Sequence, residues 1–362
     1  MTAIHQFVPS LAARDAIGAH SLQVQRLLHD LGYRSEIYVT ASHLEGRTDV
    51  HPYQSYPEHR TAEPTWLLYQ ASIGSPIARF LGAQSEPKIV NYHNVTPPEF
   101  YEPWEPTVTA ALASGLRQME ELAPTAALAI ADSEFNEQDL ARLGYRSTAV
   151  VPILFDPGAF DVAPDPVTEA RLGEERARGG SEWLFVGRMC PNKAQHDLVK
   201  AFATYRLAYD PAARLCLVGG SSSHLYESAV EQFAREVGCA EAITFAGSVS
   251  GAALSAYYGS ADVFVCLSRH EGFCVPLLEA MHRGVPVVAL RSTAVPETLG
   301  GAGLLVPSAA PAVVAAAVDR VCTDPDVRSA MVAAGRRRVL DFALDASRDR
   351  LAAVVRDLCG AP

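Results

Sequence analysis

Lysine is scarce in this chain. It supplies three of thirty cationic residues, at positions 88, 193 and 200, and the rest are arginine. The charge balance is acidic, −11 over 362 residues, and arginines run together only briefly, as at Arg336-Arg337-Arg338. The basic footprint of a nucleic-acid binder is therefore missing, and so is a polybasic membrane anchor. The seven cysteines, at 190, 216, 239, 266, 274, 322 and 359, form no CxxC pair and no His/Cys ligand spacing. An odd, scattered set in a long chain indicates a reducing compartment rather than a disulfide framework. Cys216 and Cys266 lie inside apolar runs, where a thiol serves as a small hydrophobe. No basic leader precedes the first apolar run at 4–8, so no signal peptide is expected. The most apolar long run, 309–321, is broken by Pro311 and Asp319 and is too short for a membrane span. The expected location is the cytoplasm.

What is present is ordinary globular sequence, 49% apolar and 20% charged. The length exceeds one ordinary core and divides naturally into two domains. Short apolar runs at 4–8, 35–40, 66–69, 88–92, 126–130 and 149–153 alternate with helical patterns at 21–31, 107–123 and 134–143. Residues 154–180, rich in proline, aspartate and glycine, read as a linker. A second alternating region follows, with strands at 183–186, 214–218, 243–245, 263–267, 287–290 and 304–306. Its helices are expected at 194–208, 225–237, 251–258, 276–283 and 311–322. Such alternation predicts mostly parallel sheets covered on both faces, an α/β protein. The expected organisation is a domain at 1–155, a linker at 156–180, a domain at 181–340 and a terminal helix at 341–362.

The chemistry-bearing residues cluster at predicted strand ends. Arg188 and Lys193 flank the loop that begins at Gly187, and two cations there can converge on a diphosphate. They could equally be a surface pair bonded to a carboxylate. Glu271 sits in the loop after strand 263–267, ahead of Gly272, Phe273, Cys274 and Val275. Glu279 sits on a helix for which Pro276 suits the first position. Both glutamates can face one crevice, where open α/β sheets place ligands. They read equally as a solvated loop residue and a residue favouring the helix dipole. Gly18 and Gly219 are candidates for close backbone approach, or plain turn glycines. His93 leaves the end of strand 88–92, as a site residue or a locally bonded loop histidine. No GxGxxG occurs, and no Asp-x-Asp stands at a strand-end loop.

The stretch from Cys266 to Leu290, with Glu271 and Glu279 eight apart and Gly187-Arg188 through Lys193 upstream, resembles retaining glycosyltransferases of family 4. The resemblance runs over essentially the whole chain and is strongest from 183 to 306. The stretches Ile17-Gly-Ala-His20 and Tyr92-His-Asn-Val-Thr-Pro are similar to a subgroup tied to sugar-polymer or secondary-metabolite glycosylation. It implies a GT-B fold: two Rossmann-like domains facing a central cleft, with the last helix crossing back to the amino-terminal domain. It also implies that Arg188 and Lys193 hold the donor diphosphate, that Glu279 binds the ribose and that Glu271 meets the sugar. The backbone of Gly272, Phe273 and Cys274 would be near the sugar, and His93 and Gly18 would line the reaction centre. The family usually has two adjacent glycines where this chain has Ile17-Gly18.

The expected activity is transfer of a hexosyl group from a GDP- or UDP-linked sugar to a hydroxyl-bearing acceptor, with retention and without a divalent metal or other cofactor. The acceptor is expected at the amino-terminal domain, near the aromatic loops 41–65 and 94–106. The chain is expected to be a monomer or homodimer. The alternatives are a silent sugar-nucleotide-binding protein and a sugar-nucleotide epimerase on the same scaffold.

Overall fold

A computed structural model describes residues 2–11, 16–40 and 49–360. The chain forms two compact units. The first comprises Met1–Glu99, Pro106–Phe155 and Phe342–Pro362, and the second Phe100–Glu105 and Asp156–Asp341.

The first unit is built on a seven-stranded sheet. Its strands are β1 (Ala3–Val8), β2 (Ile37–Val39), β3 (His51–Pro52), β4 (Thr65–Ala71), β5 (Lys88–Tyr92), β6 (Ala126–Ala131) and β7 (Thr148–Val150). They lie in the order β3-β2-β1-β4-β5-β6-β7, paired in parallel. Crossovers run through α1 (Ala16–Asp30), α2 (Pro76–Gly82), α3 (Pro106–Leu122) and α4 (Glu134–Arg142). Ser133 caps α4 through its side chain, as its position before Glu134 predicts.

The second unit holds a six-stranded sheet of β8 (Glu182–Val186), β9 (Arg214–Val218), β10 (Ile243–Gly247), β11 (Val263–Cys266), β12 (Val287–Leu290) and β13 (Leu304–Val306). Its order is β10-β9-β8-β11-β12-β13, again parallel. The helices are α5 (Pro166–Ala177), α6 (Gln195–Ala208), α7 (His224–Glu236), α8 (Gly251–Ser260), α9 (Val275–His282), α10 (Val295–Leu299), α11 (Pro311–Thr323) and α12 (Pro325–Leu340). The core packs Trp183, Phe185 and Val265 from the sheet against Phe202 and Tyr205 of α6 and Val314 and Val318 of α11. These side chains cover one face, and the alternate residues Leu184 and Phe264 are buried on the other, so both faces of the sheet exclude water.

The terminal helix α13 (Leu344–Cys359) belongs to the first unit. Leu351, Ala352 and Val355 enter the cluster formed by Ile4, Val24, Leu27 and Leu28, and Arg348 pairs with Asp30 at 2.6 Å.

Several stretches differ from the sequence expectation, among them α2 and α10, where no helix is expected. The supposed linker carries α5 and counts within the second unit. Asp165 caps that helix and Pro166 starts it, a start signal hidden in a proline-rich stretch. Helix α12 was not predicted because its apolar residues do not recur on one face; only Gly335 and Val339 are buried. In the loop 94–106, residues Phe100–Glu105 join the second unit, where Trp104 meets Tyr226 edge-on at 5.2 Å and Tyr101 is buried. Those rings pack a core rather than form an open acceptor surface. Of the other acceptor-loop candidate, residues 41–48 lie outside the described residues.

Candidate functional site

In the second sheet the chain reverses its direction of growth between β8 and β11, which lie side by side. A crevice opens at the carboxyl ends of strands flanking such a point. The loops leaving these two strands, 187–194 and 267–274, carry the expected site residues, and backbone bonds tie them together. The Arg269 N–H donates to the Asn192 carbonyl at 2.8 Å, and the Asn192 side-chain amide donates to the His270 carbonyl at 3.2 Å. Asp197, on the first turn of α6, accepts two bonds from the Arg269 guanidinium, the shorter 2.6 Å.

Strand ends here are glycine for a steric reason. Gly187 (φ 154°) and Gly219 (φ 144°) pack against each other, and a Cβ on Gly219 would stand 2.1 Å from the Gly187 carbonyl oxygen. A side chain at 219 would force β8 and β9 apart just where the Arg188 loop begins. Arg188 itself is exposed. Its carbonyl accepts from the Gln195 side chain at 2.8 Å, which fixes the backbone.

Lys193 and Glu271 meet directly. The ammonium donates to the carboxylate at 2.5 Å, with the lysine side chain 21% exposed and that of the glutamate 7%. Burial is the largest single effect and lowers the lysine pKa, but the Glu271 charge and hydrogen bond, together with Cys274 and Cys190, outweigh it and the pKa is raised. The Glu271 N–H donates to Thr293 Oγ1 at 2.9 Å, and Ser292 Oγ donates to the Ser268 carbonyl at 2.6 Å, so the β12 loop braces the glutamate loop. Phe273 is buried, and its carbonyl accepts from the Thr298 hydroxyl.

Glu279 is held differently. Helix α9 begins at Val275, after Cys274 in a left-handed conformation (φ 76°), so Glu279 is its fifth residue and not on the first turn as expected. The shift follows from Cys274, which ends the loop one residue earlier than Pro276 suggests. The Glu279 carboxylate accepts from the Tyr258 hydroxyl at 2.7 Å. Burial pushes its pKa up to about 7, the tyrosine bond opposing the rise. Tyr258 could not be found from the sequence, because α8 is apolar around much of its circumference and nothing marks one ring as a partner.

One further grouping has no signal in sequence spacing. Cys266 Sγ, Cys274 Sγ and a Glu271 carboxylate oxygen lie within 4.8 Å of one another, all in buried residues.

In the first unit the expected residues behave otherwise. Gly18 lies inside α1, which is described from Ala16, and not in a loop; residues 12–15 before it lie outside the described residues. His93 follows β5 as predicted, but its imidazole is only 1% exposed. Its Nδ1 pairs with Asp132 at 2.8 Å and its Nε2 with Gln70 at 2.7 Å, and Gln70 donates onward to Gln6. Asp132 is buried, and burial raises its pKa against the pull of His93. Both ring nitrogens are thus occupied within the unit. His20 packs edge-on to His93 at 5.1 Å and accepts the Leu154 N–H on Nδ1. It is held neutral, since burial, then the His93 charge, lowers its pKa well below the usual value.

Residues 180–324 match the family model of glycosyl transferases group 1. The GDP-mannose-dependent alpha-(1-6)-phosphatidylinositol monomannoside mannosyltransferase of Mycolicibacterium smegmatis is 34% identical over 189 residues, 49% of this chain and 48% of that protein. A D-inositol 3-phosphate glycosyltransferase of Kineococcus radiotolerans is 33% identical over 224 residues, 57% of this chain and 51% of its own. The chain thus spans about half the length of the curated relatives it matches. Among solved structures, sucrose-phosphate synthase of Thermosynechococcus elongatus superposes with a TM-score of 0.78 at 19% identity, covering 99% of this chain and 100% of that one. HepE of Anabaena, in complex with UDP-glucose, gives 0.74 at 17%, covering 98% and 99%. Among the described residues no helix is long and apolar enough to cross a membrane. Residues 180–324 thus match group 1 glycosyl transferases, and the two parallel-sheet units have the GT-B fold.

Proposed function

We propose that this chain is a retaining, metal-independent glycosyltransferase that moves a hexosyl group from a GDP- or UDP-linked sugar to a hydroxyl of a glycan or small-molecule acceptor. The observation that carries the reading is the joined pair of loops after β8 and β11, which brings Lys193 onto Glu271 beside exposed Arg188. The named relatives include a GDP-mannose-dependent enzyme and a protein crystallised with UDP-glucose, which supports a guanine or uracil nucleotide as donor.

Arg188 and Lys193 take the diphosphate, whose charge replaces Glu271 as the partner of the lysine ammonium. Glu279 accepts the ribose hydroxyls and Glu271 turns to the transferred sugar. The bond between the anomeric carbon and the β-phosphate oxygen breaks through an oxocarbenium-like ion pair. The acceptor oxygen bonds the same face, and its proton passes to a β-phosphate oxygen, leaving the nucleoside diphosphate. Fixed cations supply the stabilisation of the leaving group that a metal gives elsewhere. The amino-terminal unit receives the acceptor, and the reaction takes place in the cytoplasm.

The test is a thermal-shift panel of GDP, UDP, ADP and dTDP, since a ligand bound only to the folded state raises apparent stability. Turnover of the matching sugar nucleotide in EDTA follows, with the anomeric configuration of the product read by NMR. A shift with no transfer or slow hydrolysis of any sugar nucleotide would identify a silent binder. Inversion at the anomeric carbon would overturn the mechanism.

A further inference from the structure

The donor chemistry leaves two buried thiols without a role. Cys266 ends β11, Cys274 stands before α9, and their sulfurs are 3.9 Å apart. Both are within 4.8 Å of a Glu271 oxygen, and Ser268 Oγ accepts from Cys266 at 3.3 Å. We propose that Cys266, Cys274 and Glu271 form a binding site for a thiophilic divalent cation, Zn²⁺ in the first instance, and that the metal competes with the donor.

Geometry and charge both support this. Two thiolates on one tetrahedral Zn²⁺, with Zn–S bonds of about 2.3 Å, lie about 3.8 Å apart, close to the separation found. Glu271 reaches the third position by a side-chain rotation. As found, the pocket holds two thiols, one carboxylate and the Lys193 ammonium, and is neutral. Zn²⁺ enters as two thiol protons leave to solvent and two Zn–S bonds form. The metal with two thiolates and a carboxylate carries one negative charge, which Lys193 neutralises. The exchange leaves the net charge of a buried pocket unchanged, so it avoids the desolvation cost of an unpaired ion. Donor competition rests on the function proposed above, because a metal-bound Glu271 is withheld from the sugar and keeps Lys193 beside it.

The test uses the full-length chain under a non-chelating reductant, with no nucleotide present. Co²⁺ is titrated in and the thiolate-to-cobalt absorption followed. Bound Zn²⁺ is then measured by elemental analysis after desalting. One equivalent is expected, lost or weakened at least about a hundredfold in Cys266→Ser and Cys274→Ala, and retained in Cys216→Ser, which lies on β9. Folding of each variant is checked by circular dichroism, and Cys274→Ala covers the case in which the strand variant fails to fold. Absence of a thiolate–cobalt band, or a band that survives both variants, would overturn the site. So would sulfurs found joined as a disulfide after reduction. The metal-loaded, desalted protein is then titrated with GDP and UDP, and affinity at least tenfold below that of the metal-free protein is expected. If metal binds but nucleotide affinity is unchanged, competition is refuted while the metal site stands. If neither form binds any nucleotide, it is the donor reading that fails.

Discussion

Replacing Glu279 with glutamine should strengthen the fold and weaken the donor complex. Its pKa moves from 4.5 to about 7, chiefly by burial. At about 1.4 kcal/mol per unit, ionising the folded protein above pH 7 costs up to about 3 kcal/mol relative to the unfolded chain. The sign follows from the direction. The folded value is raised, so the contribution of Glu279 to stability is complete below pH 4.5 and is lost as pH rises through 7. Glutamine stays neutral and still accepts from Tyr258, so the gap between variant and parent should be near zero at pH 4 and open to as much as about 3 kcal/mol at pH 8. Trp104 and Trp183 report on the second unit once Trp66 is replaced by phenylalanine, and urea unfolding followed by their fluorescence measures the gap. Loss of one charged hydrogen bond to ribose should cost the complex about 1.5 to 3 kcal/mol, roughly ten- to a hundredfold in Kd by calorimetry. Parent affinity should itself fall as pH drops below 7. A variant less stable than the parent at pH 8 would refute the reasoning, because it would make the ionised carboxylate a stabilising group. Unchanged nucleotide affinity would remove Glu279 from the ribose.

Arg188→Ala and Lys193→Ala should each lower turnover roughly a hundredfold, and the lysine variant should also lose stability. Removing Lys193 leaves Glu271 buried and unpaired, at a cost of about 3 to 5 kcal/mol; adding Glu271→Gln should restore the melting temperature without restoring turnover. Glu271→Gln alone should lower kcat more than it raises the donor KM, as measured by steady-state kinetics with calorimetric donor Kd values. Turnover should survive EDTA; complete loss reversed by Mg²⁺ or Mn²⁺ would mean that the diphosphate needs a metal. His93→Ala should destabilise the first unit by about 2 kcal/mol, read at Trp66, because it strands Asp132 and Gln70 in the interior.

The fold was legible because a parallel sheet buried on both faces writes itself as short apolar runs between helices, and β5, β8, β9, β12 and β13 begin or end within one residue of where those runs predict. The failures share a cause. Helices α5 and α12 rest on capping aspartates and on arginine and alanine propensity, with few buried positions, so apolar periodicity does not reveal them. Glu271 and Glu279 were visible by position relative to a strand end. Their partners were not, because Tyr258 and Thr293 come from elements 21 and 22 residues away in sequence, and only the sheet order brings them in.

His93 shows how a strand-end position leaves the direction of a side chain open. Such a residue can point into a crevice or back into the unit, and the sequence around it is the same in both cases. The interior decides: Gln6 on β1 and Gln70 on β4 are polar residues inside buried strands and need partners there. His93 and Asp132 complete that chain, so the imidazole is held by the cost of leaving amides unsatisfied. Lys193 and Glu271 are the opposite case. Each is the other's partner at a loop that opens on the strand ends, and a diphosphate supplies the lysine with an equivalent anion at the moment the glutamate is needed elsewhere. A pair that can be exchanged without stranding either charge is suited to a site that must bind and release. A network such as that around His93, in which every member depends on the next, is suited to holding neighbouring interior strands together.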